Sequence, residues 1–242
     1  MRLPIVKEGD DIAKLIVDRF DFEDGDIVAV CSTIVSKSEG RVARIEDYEP
    51  SDTAIEIAKK IKEDPRFVQA VLDESDEVII DHPFLLVKAK FGNICVNAGV
   101  DRSNVEDGYL ILPPKDPDES ARRIGIRIRD LTGKDVGVII TDTNGRCFRR
   151  GVIGVAIGVF GVLPLRDWVG KRDLYGNPLK KTVECVVDEI AGFANLIMGE
   201  GDWGIPVVVF RGLNLRGDGR ARDIYRSEDE DVIRKRIRTL FR

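Results

Sequence analysis

The 242-residue chain has one histidine, His82, and one glutamine, Gln69. A Ser-His-Asp hydrolase or a multi-histidine zinc or iron site would have to rest on that single imidazole. His82 stands in Asp81-His82-Pro83, between two apolar runs, which is the place of a turn residue rather than a catalytic base. The four cysteines, Cys31, Cys95, Cys147 and Cys185, are scattered and form no C-x-x-C pair, which argues against both a zinc site and a disulfide framework. The longest uncharged run, Gly151 to Leu165, is too short to span a bilayer and is interrupted by glycines and Pro164. No basic flank with an apolar stretch opens the chain, so the expectation is a soluble, cytoplasmic protein. There is no G-x-x-x-x-G-K-[ST], hence no P-loop, and the spacing Gly151, Gly154, Gly158, Gly161 does not match G-x-G-x-x-G. A net charge of −5 does not suit a general nucleic-acid binder. Chemistry is left to carboxylates, hydroxyls, lysine, arginine and a metal.

Apolar residues make up 43% and charged residues 33%, a globular balance. Asp10 is placed to cap a first helix with Ile12, Leu15 and Ile16 inward, and Ile27 to Cys31 reads as a buried strand. Ser51 caps a second helix that Pro65 ends or bends, and Phe67 to Leu72 form another. Strands are expected near 78–80, 84–89, 94–97 and 109–112. Asp116-Pro117-Asp118-Glu119 is a strong helix start, with Gly133 as its stop. Val136 to Thr141 is the clearest buried strand, and 151–162 is a glycine-spaced one whose glycines admit a neighbouring strand. A helix over 183–197, a strand over 206–210 and a C-terminal helix complete the reading. That last helix is expected to carry Glu228 to Asp231 first and Arg234, Lys235, Arg236, Arg238 and Arg242 last, as the helix dipole favours. Strands and helices do not alternate as in a doubly wound sheet. The expectation is one α+β domain over 1–242 with mixed sheets, possibly built as two interlocked subdomains, and neither a P-loop nor a Rossmann fold.

Three loops are acidic and each borders an apolar strand. Thr141-Asp142-Thr143-Asn144-Gly145-Arg146 delivers an aspartate at a strand end, before a glycine-containing turn. A carboxylate beside a hydroxyl is hard-oxygen coordination for magnesium or manganese, and equally an Asx turn. Asn97-Ala98-Gly99-Val100-Asp101-Arg102-Ser103-Asn104 repeats the pattern, and Met198-Gly199-Glu200-Gly201-Asp202-Trp203-Gly204-Ile205 sets glycines around acids. Cys31-Ser32-Thr33, with Lys37 after it, offers hydroxyls and a cation for phosphates, or a helix cap and a solvated lysine. Arg146, Arg149 and Arg150, with Lys171 and Arg172, suit an anionic substrate or surface ion pairs.

In order along the chain these segments resemble the coenzyme F-420-0:L-glutamate ligase family. The resemblance rests on Leu3-Pro4-Ile5-Val6, Gly9-Asp10-Asp11, Cys31-Ser32-Thr33 with Ser36-Lys37, Glu39-Gly40-Arg41, Asn97 to Asp101 with Asn104, and Thr141-Asp142-Thr143 with Gly145-Arg146. It continues through Gly151, Gly154, Ala156-Ile157-Gly158, Asp188 to Ala191, Met198-Gly199, Ile205-Pro206 and Arg211-Gly212. Members carry a short strand ahead of the Leu-Pro segment, where only Met1 and Arg2 stand here. The resemblance implies an intertwined homodimer that uses GTP, Mg2+ or Mn2+, and K+. It implies that Asp101, Asp142, Thr143 and Glu200 are metal ligands. Leu3, Pro4, Ile5, Val6, Ser32, Thr33, Lys37, Asn104 and the loop Met198, Gly199, Glu200, Gly201, Asp202, Trp203, Gly204, Ile205 then form the GTP site. Asp142, Arg146 and Arg149 are the candidate catalytic residues. The implied reaction adds L-glutamate to F-420-0, then a second through a γ-linkage, by way of an acyl phosphate. The alternatives are a glutamyl ligase with another acceptor and a non-catalytic GTP- and metal-binding regulator.

Overall fold

Ile27–Cys31 (β1) is buried on both faces, and its alternating side chains build two cores. In the computed structural model, which describes residues 1–240, β1 lies inside a four-stranded sheet of order β11-β1-β7-β8, where β7 is Gly137–Arg146, β8 Arg149–Phe160 and β11 Val207–Phe210. β1 runs parallel to β7, while β11 and β8 are antiparallel to their neighbours. Val28 and Val30 point to one face, where Ile12 and Ile16 of α1 (Ile12–Val17) and Ile124 and Ile128 of α5 (Pro117–Thr132) cover them. Ile27 and Ala29 point to the other, under α6 (Val186–Met198). Each fully buried Val or Ile contributes about 1.5–3 kcal/mol, so this two-sided burial fixes the register of the sheet.

β8 is an edge strand, and two helices close it. Asp188 in the first turn of α6 accepts the Ala156 N–H at 2.9 Å, and Asp118 in the first turn of α5 accepts the Val159 N–H at 2.8 Å. These carboxylates occupy edge donors that would otherwise invite another strand. The expected reason for the glycine spacing is corrected here. A Cβ on Gly154 would come within 2.3 Å of the Ala191 carbonyl oxygen, and one on Gly158 within 2.2 Å of that of Pro117. Helix backbones lie against these two glycines, whereas Gly161 does meet the neighbouring strand, where a Cβ would lie 3.1 Å from the Val136 carbonyl oxygen and 3.4 Å from Gly137 at the start of β7.

A second core is built by α3 (Asp52–Ile61) and α4 (Pro65–Asp73) on a three-stranded sheet, β3 (Ser75–Ile80), β4 (Leu86–Ala89) and β5 (Ile94–Val96). Phe91 packs against this core and against the α1–α5 side of the main sheet, joining the two. Two strand pairs complete the sheets: β2 (Val42–Arg44) with β6 (Tyr109–Ile111), and β9 (Leu165–Asp167) with β10 (Val183–Cys185). The mixed α+β reading therefore holds, with no doubly wound sheet among the described residues. No helix among the described residues is long and apolar enough to cross a membrane.

Several boundaries move for local reasons. Asp11, not Asp10, caps α1, accepting the Lys14 N–H at 3.0 Å, while Asp10 closes a turn on Lys7. Pro65 opens α4 behind the Asp64 cap instead of bending α3, which ends at left-handed Lys62. The helix read over 183–197 gives its first three residues to β10. Glu228 to Asp231 precede the last helix, α7 (Val232–Leu240), and Asp231 serves as its side-chain acceptor. Arg234 is not a solvated cation: it is 5% exposed and paired with Glu77 and Glu228. Arg242 lies outside the described residues.

A polar clasp joins the start of β1 to the end of β11. Arg211 clasps Asp26 with two hydrogen bonds of 2.8 and 2.7 Å, and the Asp26 side chain is 1% exposed. Arg211's hydrogen bonds hold the Asp26 carboxyl below the usual carboxylate range. Such a group stabilises the fold above its ordinary pKa of about 4, and that stability is lost as pH falls through the lowered value. Arg211→Ala is expected to destabilise the fold near neutral pH by leaving the buried Asp26 carboxylate without its partner, an effect moderated by Arg211's own exposure. Urea titrations at pH 7 and below pH 4 should show the wild-type advantage shrinking in acid.

Candidate active site

The register of β1 on β7 pairs Cys31 with Thr141, and that of β1 on β11 pairs Val30 with Val207. Three chain segments therefore reach one line across the sheet. β1 stops there and turns directly into α2 (Ser32–Ser38), with Ser32 and Thr33 in its first turn. β7 does not stop. The turn expected immediately after Asp142 is absent, because 142–146 continue as strand, paired only with β8. A step is left where β1 ends and β7 runs on. A cavity of about 320 Å³ opens in it, within the usual size of small-molecule clefts.

The floor is Asp142. Its Oδ1 accepts the Thr143 N–H at 2.9 Å and the Ser32 hydroxyl at 3.3 Å. The left-handed backbone of Gly99 (φ 77°) passes so close that a Cβ there would lie 3.3 Å from Asp142 Oδ2. Burial pushes the Asp142 pKa up to about 6, against the two hydrogen bonds that favour the anion. The negative charges of Asp101 and Glu200 push the same way. One wall is the loop from Asp101 to Asn104. Asp101 accepts the N–H groups of Arg102 and Ser103 at 2.7 and 3.0 Å, and Lys37 of α2 donates to the Asn104 carbonyl. The opposite wall is the segment following α6, from Met198 to Pro206. Gly199 is needed at φ 70°, since a Cβ would lie 2.6 Å from the Trp203 ring. Leu3 to Val6 close the rim without forming a strand, and the Met1 amino group donates to the Val207 carbonyl at 2.5 Å.

Of the residues singled out in the sequence, Leu3, Pro4, Ile5, Val6, Ser32, Thr33, Lys37, Asp101, Asn104, Asp142, Thr143, Met198, Gly199, Glu200, Gly201, Asp202, Gly204 and Ile205 all line this cavity. Trp203 does not, packing instead on Gly199. Arg146 and Arg149 lie on the hairpin that joins β7 to β8, beyond the lining. Among the described residues no three of His, Cys, Asp and Glu converge as a ready metal cluster. Asp101, Asp142, Glu200 and Asp202 line the cavity without forming such a cluster. Cys31 also lines it, but burial pushes its thiol up, which leaves it protonated and a poor nucleophile. Asn195 of α6 was missed. It sits in the inward stripe of an apolar helix, and its side chain makes no hydrogen bond among the described residues. One amide in a run of core positions was the only signal it gave.

The sequence pattern of the family described as F420-0:gamma-glutamyl ligase matches residues 1–212, a span that contains every residue lining the cavity. The chain belongs to this family. Relatives of the F420-0:gamma-glutamyl ligase family align over nearly the whole chain. A protein of Archaeoglobus fulgidus named coenzyme F420:L-glutamate ligase is 65% identical, covering 96% of this chain and 94% of its own. Proteins of the same name from Methanosarcina mazei and Methanocaldococcus jannaschii are each 47% identical. They cover 99% and 97% of this chain, and 95% of their own length in both cases.

A raised carboxylate pKa is a stability cost. The folded protein prefers Asp142 protonated, so the penalty is absent below pH 4, grows between about pH 4 and 6, and is complete above, on the order of 3 kcal/mol. Asp142→Asn keeps an acceptor oxygen and removes the charge. In protein free of metal and nucleotide, it is expected to raise stability at pH 7 and to lose that advantage as pH falls through 6 toward 4. Thermal melts of both proteins across that range check it.

Proposed function

We propose that the chain is a ligase that adds L-glutamate to the deazaflavin precursor F420-0, and then a further glutamate through a γ-linkage, with GTP converted to GDP and phosphate. The observation that carries this reading is one cavity at the step in the sheet lined by Ser32, Thr33 and Lys37 together with Asp101, Asp142 and Glu200. The relatives' printed name supplies acceptor and donor. The cavity supplies what such a reaction needs: hydroxyls and a cation for a nucleotide's phosphates, and acids that hold hard cations.

A carboxylate at neutral pH is a poor acyl donor. In this reading the acceptor carboxylate attacks the γ-phosphorus of GTP, the bond to the β-phosphate bridge breaks, and an acyl phosphate and GDP result. The glutamate amine then attacks the acyl carbon, loses a proton, and displaces inorganic phosphate. Lys37 steadies the phosphates as a point charge, and Ser32 and Thr33 donate to their oxygens. Leu3 to Val6 and the segment from Met198 to Ile205 enclose the rest of the nucleotide.

The donor set fits a divalent cation, Mg2+ or Mn2+. It is all oxygen, with the Thr143 hydroxyl beside Asp142, a carboxylate whose pKa is raised by burial and further by the like charges of Asp101 and Glu200. Asp101, Asp142, Thr143 and Glu200 would hold it, and it would neutralise charge on the transferring phosphoryl group. K+ is the monovalent ion of the same reading. Arg146 and Arg149 lie four and seven residues beyond Asp142, at the far end of β7 and just past the hairpin turn. At about 3.3 Å per strand residue an elongated acceptor would bridge the roughly 13 Å from Asp142 to Arg146. There the arginines would meet its carboxylates or phosphodiester. The active species is a homodimer in the cytoplasm.

The test is incubation of the protein with F420-0, L-glutamate, GTP and Mn2+, following product mass and GDP. The expected result is a gain of one or two glutamyl units with matched GDP. Asp142→Ala is expected to fold and to lose at least about 100-fold in kcat, the scale of removing charge stabilisation from a phosphoryl-transfer site. Tight GTP binding without turnover would replace the reading with another acceptor or a non-catalytic regulator. Full activity of the folded variant would remove Asp142 from it.

A further inference from the structure

Asp101 and Asp142 line one cavity. The two come from different cores. Asp142 stands on β7 of the main sheet, whereas Asp101 follows β5, the edge strand of the three-stranded sheet. β5 is paired with β4 along one side only, through Leu86–Val96, Val87–Cys95 and Lys88–Ile94. Its other edge meets β7. There the Asn144 side-chain amide donates to the Ile94 carbonyl at 3.1 Å. Asn144 is two residues beyond Asp142, so by strand alternation both side chains leave the same face of β7.

From Ile94 the chain runs three residues along β5 and then enters a left-handed turn. Asn97, Ala98 and Gly99 have φ of 55°, 55° and 77° in succession. Ala98 pays a steric penalty there that glycine would not, yet its side chain is fully buried in the second core, which holds it in place. The turn carries Gly99 across Asp142 Oδ2 and releases the chain at Asp101, which bridges to Ile111. One end of this segment is fixed by the second core. The other bears on Asp142. The Asn144–Ile94 bond fixes the segment's start on the strand that carries Asp142.

We infer that Asn144 is a positioning residue: its amide, bonded to the Ile94 carbonyl, locks β5 to β7 and so sets the Asn97–Asp101 turn, with Asp101, against Asp142. The inference rests on the proposed cation site only for its functional consequence; the mechanical part stands without it. Asn144 does not line the cavity. It acts through the backbone of another segment, as the outer partners of metal ligands do.

Asn144→Leu keeps the bulk and removes the donor; Asn144→Gln restores a donor on a longer arm. Hydrogen–deuterium exchange on protein without metal or nucleotide is the first readout. In Asn144→Leu, amides of 94–103 should exchange faster while those of β1 and α5 keep wild-type rates and the melting temperature is unchanged. The second is Mn2+ binding by electron paramagnetic resonance in the presence of GTP. It should weaken by about 10–100-fold, the usual range for loss of an outer partner, and Asn144→Gln should recover part of it. Wild-type exchange at 94–103 in Asn144→Leu overturns the lock. Faster exchange with unaltered Mn2+ affinity overturns the positioning role and leaves a structural tie alone. If wild type itself binds no Mn2+ with GTP present, the cation site of the proposed function fails. The exchange result then still decides the mechanical part.

Discussion

The parallel register that sets Cys31 beside Thr141 is the constraint on which the site depends. It is fixed by burial, because a one-residue slip of β1 would exchange Val28 and Val30 with Ile27 and Ala29 between the two buried faces of the sheet. With the register held, the end of β1, the start of β11 and the middle of β7 fall on one line. The unequal lengths of β1 and β7 open the step that becomes the cavity. Packing also sets the loop that follows α6. Gly154 lets that helix lie on β8, and Asp188 anchors its first turn to the strand, so Met198 and Glu200 arrive at the cavity that Asp142 lines.

Putting Asp142 in that step works against stability. Its carboxylate is surrounded by protein, its two hydrogen-bond donors do not offset the lost hydration, and Asp101 and Glu200 add like charge. The left-handed Ala98 is a second departure from relaxed geometry, on the segment that brings Asp101. Asp142 lines the cavity, and Ala98 stands three residues before Asp101, which lines it too. The Asp26–Arg211 clasp, by contrast, is a fully paired buried carboxylate at the other end of β1. Two aspartates border one strand with opposite pKa displacements, one serving the fold and the other costing it.

Much of this was legible in the sequence because the signals were local. The Asp116-Pro117 start and Gly133 stop of α5 stand where they were read, since caps and a first-turn proline act within one helix turn. The buried strand at Ile27 and the acidic and hydroxyl segments of the cavity were legible for the same reason. The extension of β7 past Asp142 was not, because Asn144 and Gly145 carry turn chemistry and only pairing with β8 keeps them in strand. Nor were the cation-to-acid pairing of Arg234 with Glu77 or the closure of β8 by helices, both contacts between distant segments. Asn195 was hidden by its apolar neighbours. Family membership, expected from the order of the segments, is shown by the whole-chain match to the relatives.

The central claim is that the step between β1 and β7 is where a nucleotide's phosphates and a divalent cation meet. The most direct measurement is a crystal structure of the chain with a non-hydrolysable GTP analogue and Mn2+, with manganese located by its anomalous signal. The account predicts manganese bound to Asp142 and to Asp101 or Glu200, with the phosphates over Ser32, Thr33 and Lys37. Manganese and nucleotide bound elsewhere, with Asp142 still held only by Ser32 and Thr143, would contradict it.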